Sequence, residues 1–137
     1  MRLLIVSQYF WPENFRINDL AAELSKRGHE VVVLTGVPNY PDGHVFEEFR
    51  KDTEHFSHYE GVEIVRVPLI PRGQGSVRLM LNYLSFAVSA SILGAWKLRG
   101  LNFDVVFTNQ LSPVTVGLPA ALIAKTKRAH MVMWVLD

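Results

Sequence analysis

The sequence predicts an α/β domain, a parallel sheet of about five strands with flanking helices. Three observations carry that expectation. Two unbroken apolar runs of strand length, Leu3-Leu4-Ile5-Val6 and Val31-Val32-Val33-Leu34, have the pattern of strands buried on both faces. Between them Ile17, Leu20, Ala21 and Leu24 fall on one helical stripe. The 137-residue chain is 49% hydrophobic and 20% charged, which supplies one domain core and excludes a disordered tail.

The elements follow in order. Residues 2–7 form the first strand. Residues 15–27 form a helix, with Asn14 suited to cap it and Gly28 to end it. Residues 30–35 are the second strand, reached by a crossover long enough for a right-handed parallel connection, so the unit reads as βαβ. A polar stretch holding His44, His55 and His58 then predicts a long loop with a short helix near residues 46–51. Residues 62–67 give a third strand, residues 77–99 a long helix, and residues 104–108 a fourth strand. Ser112-Pro113 opens another helix to about residue 127, with Pro119 kinking it or falling in its first turn. Residues 130–135 are the fifth strand. A compact α/β domain would cover that strand with a further helix, so a sequence ending at Asp137 is expected to be a fragment or one half of a larger protein. There is no internal repeat.

Composition excludes several functions. With 14 basic and 13 acidic side chains the net charge is +1, too small a field for a nucleic-acid partner. The chain has no cysteine, so disulfides, thiolate catalysis and cysteine-ligated zinc are all ruled out. The first apolar run is too short for the core of a signal peptide. A cytoplasmic location is the expectation.

The surplus hydrophobicity sits in residues 79–96, an uncharged run of 18 residues between Arg78 and Lys97. By length it could cross a membrane. Asn82, Ser85, Ser89 and Ser91 interrupt it, and a span here would separate strands of one sheet. A crossover helix packed on the sheet is the better reading. Its basic ends also suit peripheral contact with a membrane surface through residues 77–99.

Parallel sheets bind ligands at the carboxyl ends of their strands, where two specific loops fall. The loop after the first strand has no glycine, so a dinucleotide pyrophosphate cannot approach its backbone, and no NAD or FAD cofactor is expected. It offers Gln8, Glu13, Asn14 and Arg16 around Tyr9, Phe10 and Trp11. Rings beside amides and carboxylates suit carbohydrate, with the rings either stacking on sugar faces or packing the loop. Arg16, near a helix start, could also hold a phosphate. After the second strand, Pro38-Asn39-Tyr40-Pro41-Asp42-Gly43 is a rigid turn that either aims Asn39 and Tyr40 at the strand ends or is an ordinary double turn.

Asn109 and Gln110 follow the fourth strand at the same rim, and Asp137 follows the fifth. Asp137 is a candidate base or hydroxyl ligand, or simply a chain end. His55 and His58 could share a helical face, but no third metal ligand accompanies them, and a solvated face is the default. No metal site is expected.

The run Val6-Ser7-Gln8-Tyr9-Phe10-Trp11-Pro12-Glu13-Asn14-Phe15-Arg16, then Arg27-Gly28-His29-Glu30-Val31, then Leu34-Thr35-Gly36-Val37-Pro38-Asn39-Tyr40-Pro41, and later Leu81-Asn82-Tyr83-Leu84-Ser85-Phe86, resembles the amino-terminal domain of family 4 glycosyltransferases. The resemblance is nearest to the bacterial fucosamine-transferase and colanic-acid subgroup. It implies the amino-terminal half of a GT-B fold, in which two Rossmann-like domains face each other across a cleft. This half, residues 1–137, would bind the acceptor, a saccharide linked to a polyprenyl diphosphate in O-antigen, capsule or exopolysaccharide synthesis. The absent carboxyl-terminal half would bind the nucleotide-sugar.

Transfer in such families retains anomeric configuration and needs no metal. Many relatives carry a glycine-rich turn where this chain has Glu13-Asn14-Phe15-Arg16, and a histidine near the position of Asp137. The chain alone is expected to be inactive. The other reading is a stand-alone carbohydrate or lipid-binding module served by a separate donor-binding partner. A flavodoxin-like response domain fails because no acidic cluster follows the first strand.

Overall fold

A computed structural model describes residues 1–39, 45–71, 73–110 and 117–135. Along the chain lie β1 (Arg2–Val6), α1 (Arg16–Lys26), β2 (Glu30–Gly36), α2 (Glu47–Lys51), a 3-10 turn (Glu54–Ser57), β3 (His58–Tyr59) and β4 (Val62–Val67). Then come α3 (Ser76–Ser89), a π-helical segment (Ala90–Gly94), α4 (Ala95–Lys97), β5 (Val105–Gln110), α5 (Gly117–Lys127) and β6 (His130–Val135). The strands form one sheet in the order β3-β4-β2-β1-β5-β6. Every pairing is parallel except β3 with β4.

The apolar runs are unbroken because alternate residues feed two cores. Leu3 and Ile5 of β1, with Val31 and Val33 of β2, pack under Ile17 and Ala21 of α1. Leu4, Val6, Val32 and Leu34 point the other way, against Phe86, Ala90 and Leu98 on one helix and Ala120, Ile123 and Ala124 on α5. β1 is the centre of the sheet, held by β2 on one side and β5 on the other. Its amino end is fastened too, since Arg2 N donates to Asp104 Oδ2 at 2.8 Å and Asp104 N donates to Arg2 O at 2.8 Å.

The five expected strands are all present, and His58 and Tyr59 add a short antiparallel edge on β4, giving six. Three expectations are corrected. α1 is capped by Phe15 in extended geometry with no side-chain cap, while Asn14 lies one residue earlier and exposed. The fourth predicted strand runs on to Gln110 because pairing with β6 continues through Gln110 and Val135, so Asn109 and Gln110 lie in β5 and not in a loop. His55 lies in the 3-10 turn and His58 in β3, so they do not share a helical face.

The exit of α1 is as expected. Gly28 has φ of 93°; its N–H donates to Ser25 O, and His29 N donates to Leu24 O, the paired bonds of a Schellman ending that glycine allows without strain. The predicted opening at Ser112-Pro113 lies outside the described residues. Pro119 stands in the first turn of α5, where a missing N–H leaves no intrahelical bond broken.

Candidate functional site

The carboxyl ends of β1, β2 and β4 are tied to one another by buried polar groups. The loop leaving β1 is braced locally, with Ser7 Oγ donating to Tyr9 O at 2.7 Å and Thr35 Oγ1 of β2 donating to Gln8 O at 3.2 Å. Gln8 Nε2 then reaches across to Asn82 Oδ1 at 2.8 Å, and Tyr9 OH points at the same oxygen at 3.4 Å. Asn82 is buried in the first turns of α3, and its Nδ2 donates to Ile70 O at 2.7 Å. Ser85 Oγ accepts Ile70 N at 2.8 Å. The loops after β1 and β4 are therefore both pinned to the start of α3.

A second tie runs through a buried carboxylate. Glu13 is buried, and its carboxylate accepts Phe10 N at 3.3 Å and Asn39 N at 2.9 Å, joining the β1 loop to the β2 loop. Asn18 Nδ2 secures Glu13 O at 2.7 Å. Beneath them Arg66, from β4, donates to Gly36 O at 3.0 Å, to Trp11 O and to Phe56 O at 3.3 Å. Its guanidinium also stands 5.2 Å from the Phe49 ring centroid. Burial pushes Arg66 down to about 10, opposed by the Glu13 carboxylate, which favours its charge. One planar fork thus clamps three segments, which suits arginine and not lysine.

The rings of the first loop pack mostly against protein. Phe10 is fully buried, with Tyr59 edge-on at 6.0 Å. Trp11 stacks on Tyr59 at 5.0 Å and leans on Phe56 at 5.1 Å. Tyr9 stacks on Phe15 at 5.1 Å. Rings with such partners stiffen a loop, and Trp11 and Phe15 keep part of their surface accessible.

Of the candidate site residues, Asn14 and Arg16 are exposed at this rim, while Glu13 and Asn39 face inward, the Asn39 Nδ2 donating to Val37 O at 2.8 Å. The backbone of Gln110 ends β5 at the same rim. Tyr40 and Asp137 lie outside the described residues. Arg66 and Asn82 are the two organising side chains that sequence reasoning passed over. Each had a signal: Arg66 is a lone cation in an otherwise apolar strand end, and Asn82 is the amide inside an apolar run.

A different cleft, about 330 Å³ and lined by Arg2, Glu30, His58, Glu63 and Asn102, opens at the amino ends of the strands. It is the wrong end of a parallel sheet for ligand chemistry. Its Arg2–Glu30 ion pair, at 2.7 Å, is solvent-exposed. Among the described residues no group of three or more histidine or acidic side chains converges to hold a metal. Among the described residues the rim presents hydrogen-bonding groups and the Arg16 cation on a stiff base, an arrangement that can hold polyhydroxylated or anionic ligands.

Comparison with known proteins gives a family match and a fold match. Residues 14–137 match the family described as "Glycosyl transferase 4-like domain". No curated protein sequence matches the chain. Among solved structures, the glycotransferase of kitacinnamycin superposes with a TM-score of 0.64 at 17% identity, covering 96% of this chain. The chain spans 29% of that protein's length. Two structures of the C-terminal domain of the PF1911 hydrogenase from Pyrococcus furiosus superpose with TM-scores of 0.58 and 0.59 at 19% and 17% identity. These cover 97% and 98% of this chain and 89% of the hydrogenase domain in each case. At such identities the likeness is one of architecture, and the architecture alone does not carry an activity.

Proposed function

Because the chain belongs to the glycosyl transferase 4-like domain family, we propose that it is the acceptor-binding half of a retaining glycosyltransferase. The full enzyme moves a sugar from a nucleotide-sugar to a polyprenyl-diphosphate-linked saccharide in O-antigen, capsule or exopolysaccharide synthesis, within the fucosamine-transferase and colanic-acid branch. The observation that carries the reading is the pair of exposed polar side chains, Asn14 and Arg16, on a rim whose base is locked by Glu13, Arg66 and Asn82. Preorganised donors of this kind bind hydroxyls and phosphate oxygens at little ordering expense. The sequence motifs also assign Tyr40, Gln110 and Asp137 to acceptor binding, with Asp137 as base or hydroxyl ligand.

Donor binding and stabilisation of the leaving diphosphate are assigned to a second domain. Without that clamp the largest catalytic contribution is absent, so these 137 residues alone transfer no sugar. The test is an NMR titration of the isotopically labelled chain with a short polyprenyl-diphosphate-linked N-acetylhexosamine and, separately, with a nucleotide-sugar. Shifts of the Asn14, Phe15 and Arg16 amides are expected with the first. Shifts at those amides with the nucleotide-sugar alone, or sugar transfer by the isolated chain, overturn the assignment.

A further inference from the structure

Tyr9 and Phe15 form a stacked pair, with ring centroids 5.1 Å apart and planes 12° from parallel. The lower ring is fixed. Tyr9 is 5% exposed, its carbonyl accepts Ser7 Oγ at 2.7 Å and its hydroxyl points at Asn82 Oδ1 at 3.4 Å, so it cannot turn without breaking the buried ties at the strand ends. The upper ring stays partly accessible. Because Tyr9 covers one face of Phe15, that accessible surface belongs to the opposite face and the ring edge. A parallel pair of this kind turns a flat hydrocarbon plate outward, where an edge-on pair would turn out a narrow rim.

Phe15 also occupies an uncommon place for its type. It precedes the first residue of α1 in extended geometry, with φ of −139° and ψ of 156°, and it makes no side-chain cap. Serine, threonine, aspartate or asparagine at this place would hold a first-turn amide, and a phenyl ring forgoes that bond. Part of the ring borders the apolar cluster under α1, but packing there does not require it to reach the rim. Its chain neighbours Asn14 and Arg16 are both exposed, which sets an amide and a guanidinium beside the plate. The other rings of the loop are engaged by protein, since Phe10 is fully buried and Trp11 has Tyr59 and Phe56 at 5.0 and 5.1 Å.

A pyranose matches this surface. Its axial C–H bonds gather into apolar faces while its hydroxyls point outward round the ring, so it lies on an aromatic plate and is hydrogen-bonded from the side. We propose that Phe15 is the plate on which the acceptor's sugar stacks through a C–H face, with Arg16 holding the adjoining phosphate and Asn14 a hydroxyl; this rests on the acceptor assignment above. Phe15 is then a specificity residue of the site. It tells a phosphate that carries a pyranose from a phosphate that does not, a distinction that Arg16 alone cannot make. The fixed Tyr9 ring beneath it means that the plate is in place before the ligand arrives, so little order is lost on binding.

The test titrates the 137-residue chain by NMR with two ligands, a short polyprenyl-diphosphate-linked N-acetylhexosamine and the same polyprenyl diphosphate without the sugar. The sugar-bearing ligand is expected to bind about tenfold more tightly, with its ring C–H protons moved upfield by the Phe15 ring. Phe15→Leu keeps an apolar side chain but has no π face. It should lose about that factor for the sugar-bearing ligand, leave the sugarless one unchanged and abolish the upfield shift, and Phe15→Trp should restore both. If Phe15→Leu does not fold, the parent decides, through nuclear Overhauser contacts between the Phe15 ring protons and the sugar C–H protons. Equal weakening of both ligands, which a purely structural ring would give, overturns the proposal, as do unshifted sugar protons or full affinity in Phe15→Leu. If the Asn14 and Arg16 amides respond to both ligands while the sugar protons stay unshifted, the Phe15 role is rejected and the acceptor assignment stands. If neither ligand moves those amides, both fall.

Discussion

The Glu13 carboxylate accepts the backbone N–H of Asn39 at 2.9 Å, and through that bond the loop after the first strand and the loop after the second act as one unit. Glu13 is 2% exposed. Deleting it leaves the amides of Phe10 and Asn39 without their buried acceptor. Glu13→Ala is expected to lower stability by about 2–4 kcal/mol, measured by urea denaturation. Glu13→Gln, which keeps one acceptor oxygen, should recover only part. A Glu13→Ala chain as stable as the parent would show that the two loops are held by other means.

Arg66 is expected to resist conservative replacement. Lysine has one ammonium point where Arg66 has a fork serving Gly36 O, Trp11 O and Phe56 O. Arg66→Lys should cost about 1–3 kcal/mol, with earlier amide exchange in the Trp11 and Phe56 segments than in β1. Equal exchange in those segments for both proteins would remove the clamp.

Asn82→Ala removes the acceptor of Gln8 and the donor to Ile70 O. The expected loss is about 1–3 kcal/mol, with the signals of Gln8, Tyr9 and Ile70 displaced in a heteronuclear NMR spectrum and those of α1 unmoved. Shifts spread evenly over the domain would argue against a local tie.

Gly94 meets the sheet closely, since a β-carbon there would stand 2.7 Å from Leu34 Cδ2. Gly94→Ala is expected to destabilise by about 1–3 kcal/mol through overpacking, visible as a lower Tm. An unchanged Tm would mean that Leu34 has room to turn aside.

Arg16 is exposed. Arg16→Ala should leave stability within about 0.5 kcal/mol while weakening acceptor binding about tenfold, the loss of one charge-assisted bond. Isothermal titration with the polyprenyl-diphosphate-linked saccharide checks it, and undiminished affinity takes Arg16 out of the site.

The sheet was readable because β1 and β2 are buried on both faces, so their residues form unbroken apolar runs. The long crossover helix was readable from its length and composition, although its π segment was not, since nothing in Ala90-Ser91-Ile92-Leu93-Gly94 departs from ordinary helical composition. β3 escaped because two residues, His58 and Tyr59, carry no period. At the rim, residue types singled out the loops after β1 and β2 but not the directions of their side chains. Glu13 and Asn14 are neighbours of similar polarity, yet one is buried against the amides of Phe10 and Asn39 and the other is exposed. Arg66 and Asn82 act over distances of 55 and 74 residues, to Trp11 and Gln8, and no local spacing encodes such partners.

The central place of β1 also orders the birth of the fold. Its two neighbours are made at very different times, β2 from residue 30 onward and β5 only from residue 105. A chain emerging from the ribosome can close the β1–β2–β4 half early, but one edge of β1 stays bare until β5 arrives. Asp104, which binds both backbone groups of Arg2, is among the first residues able to cover it. That bare edge, in the middle of the finished sheet, is a template for wrong pairing during synthesis.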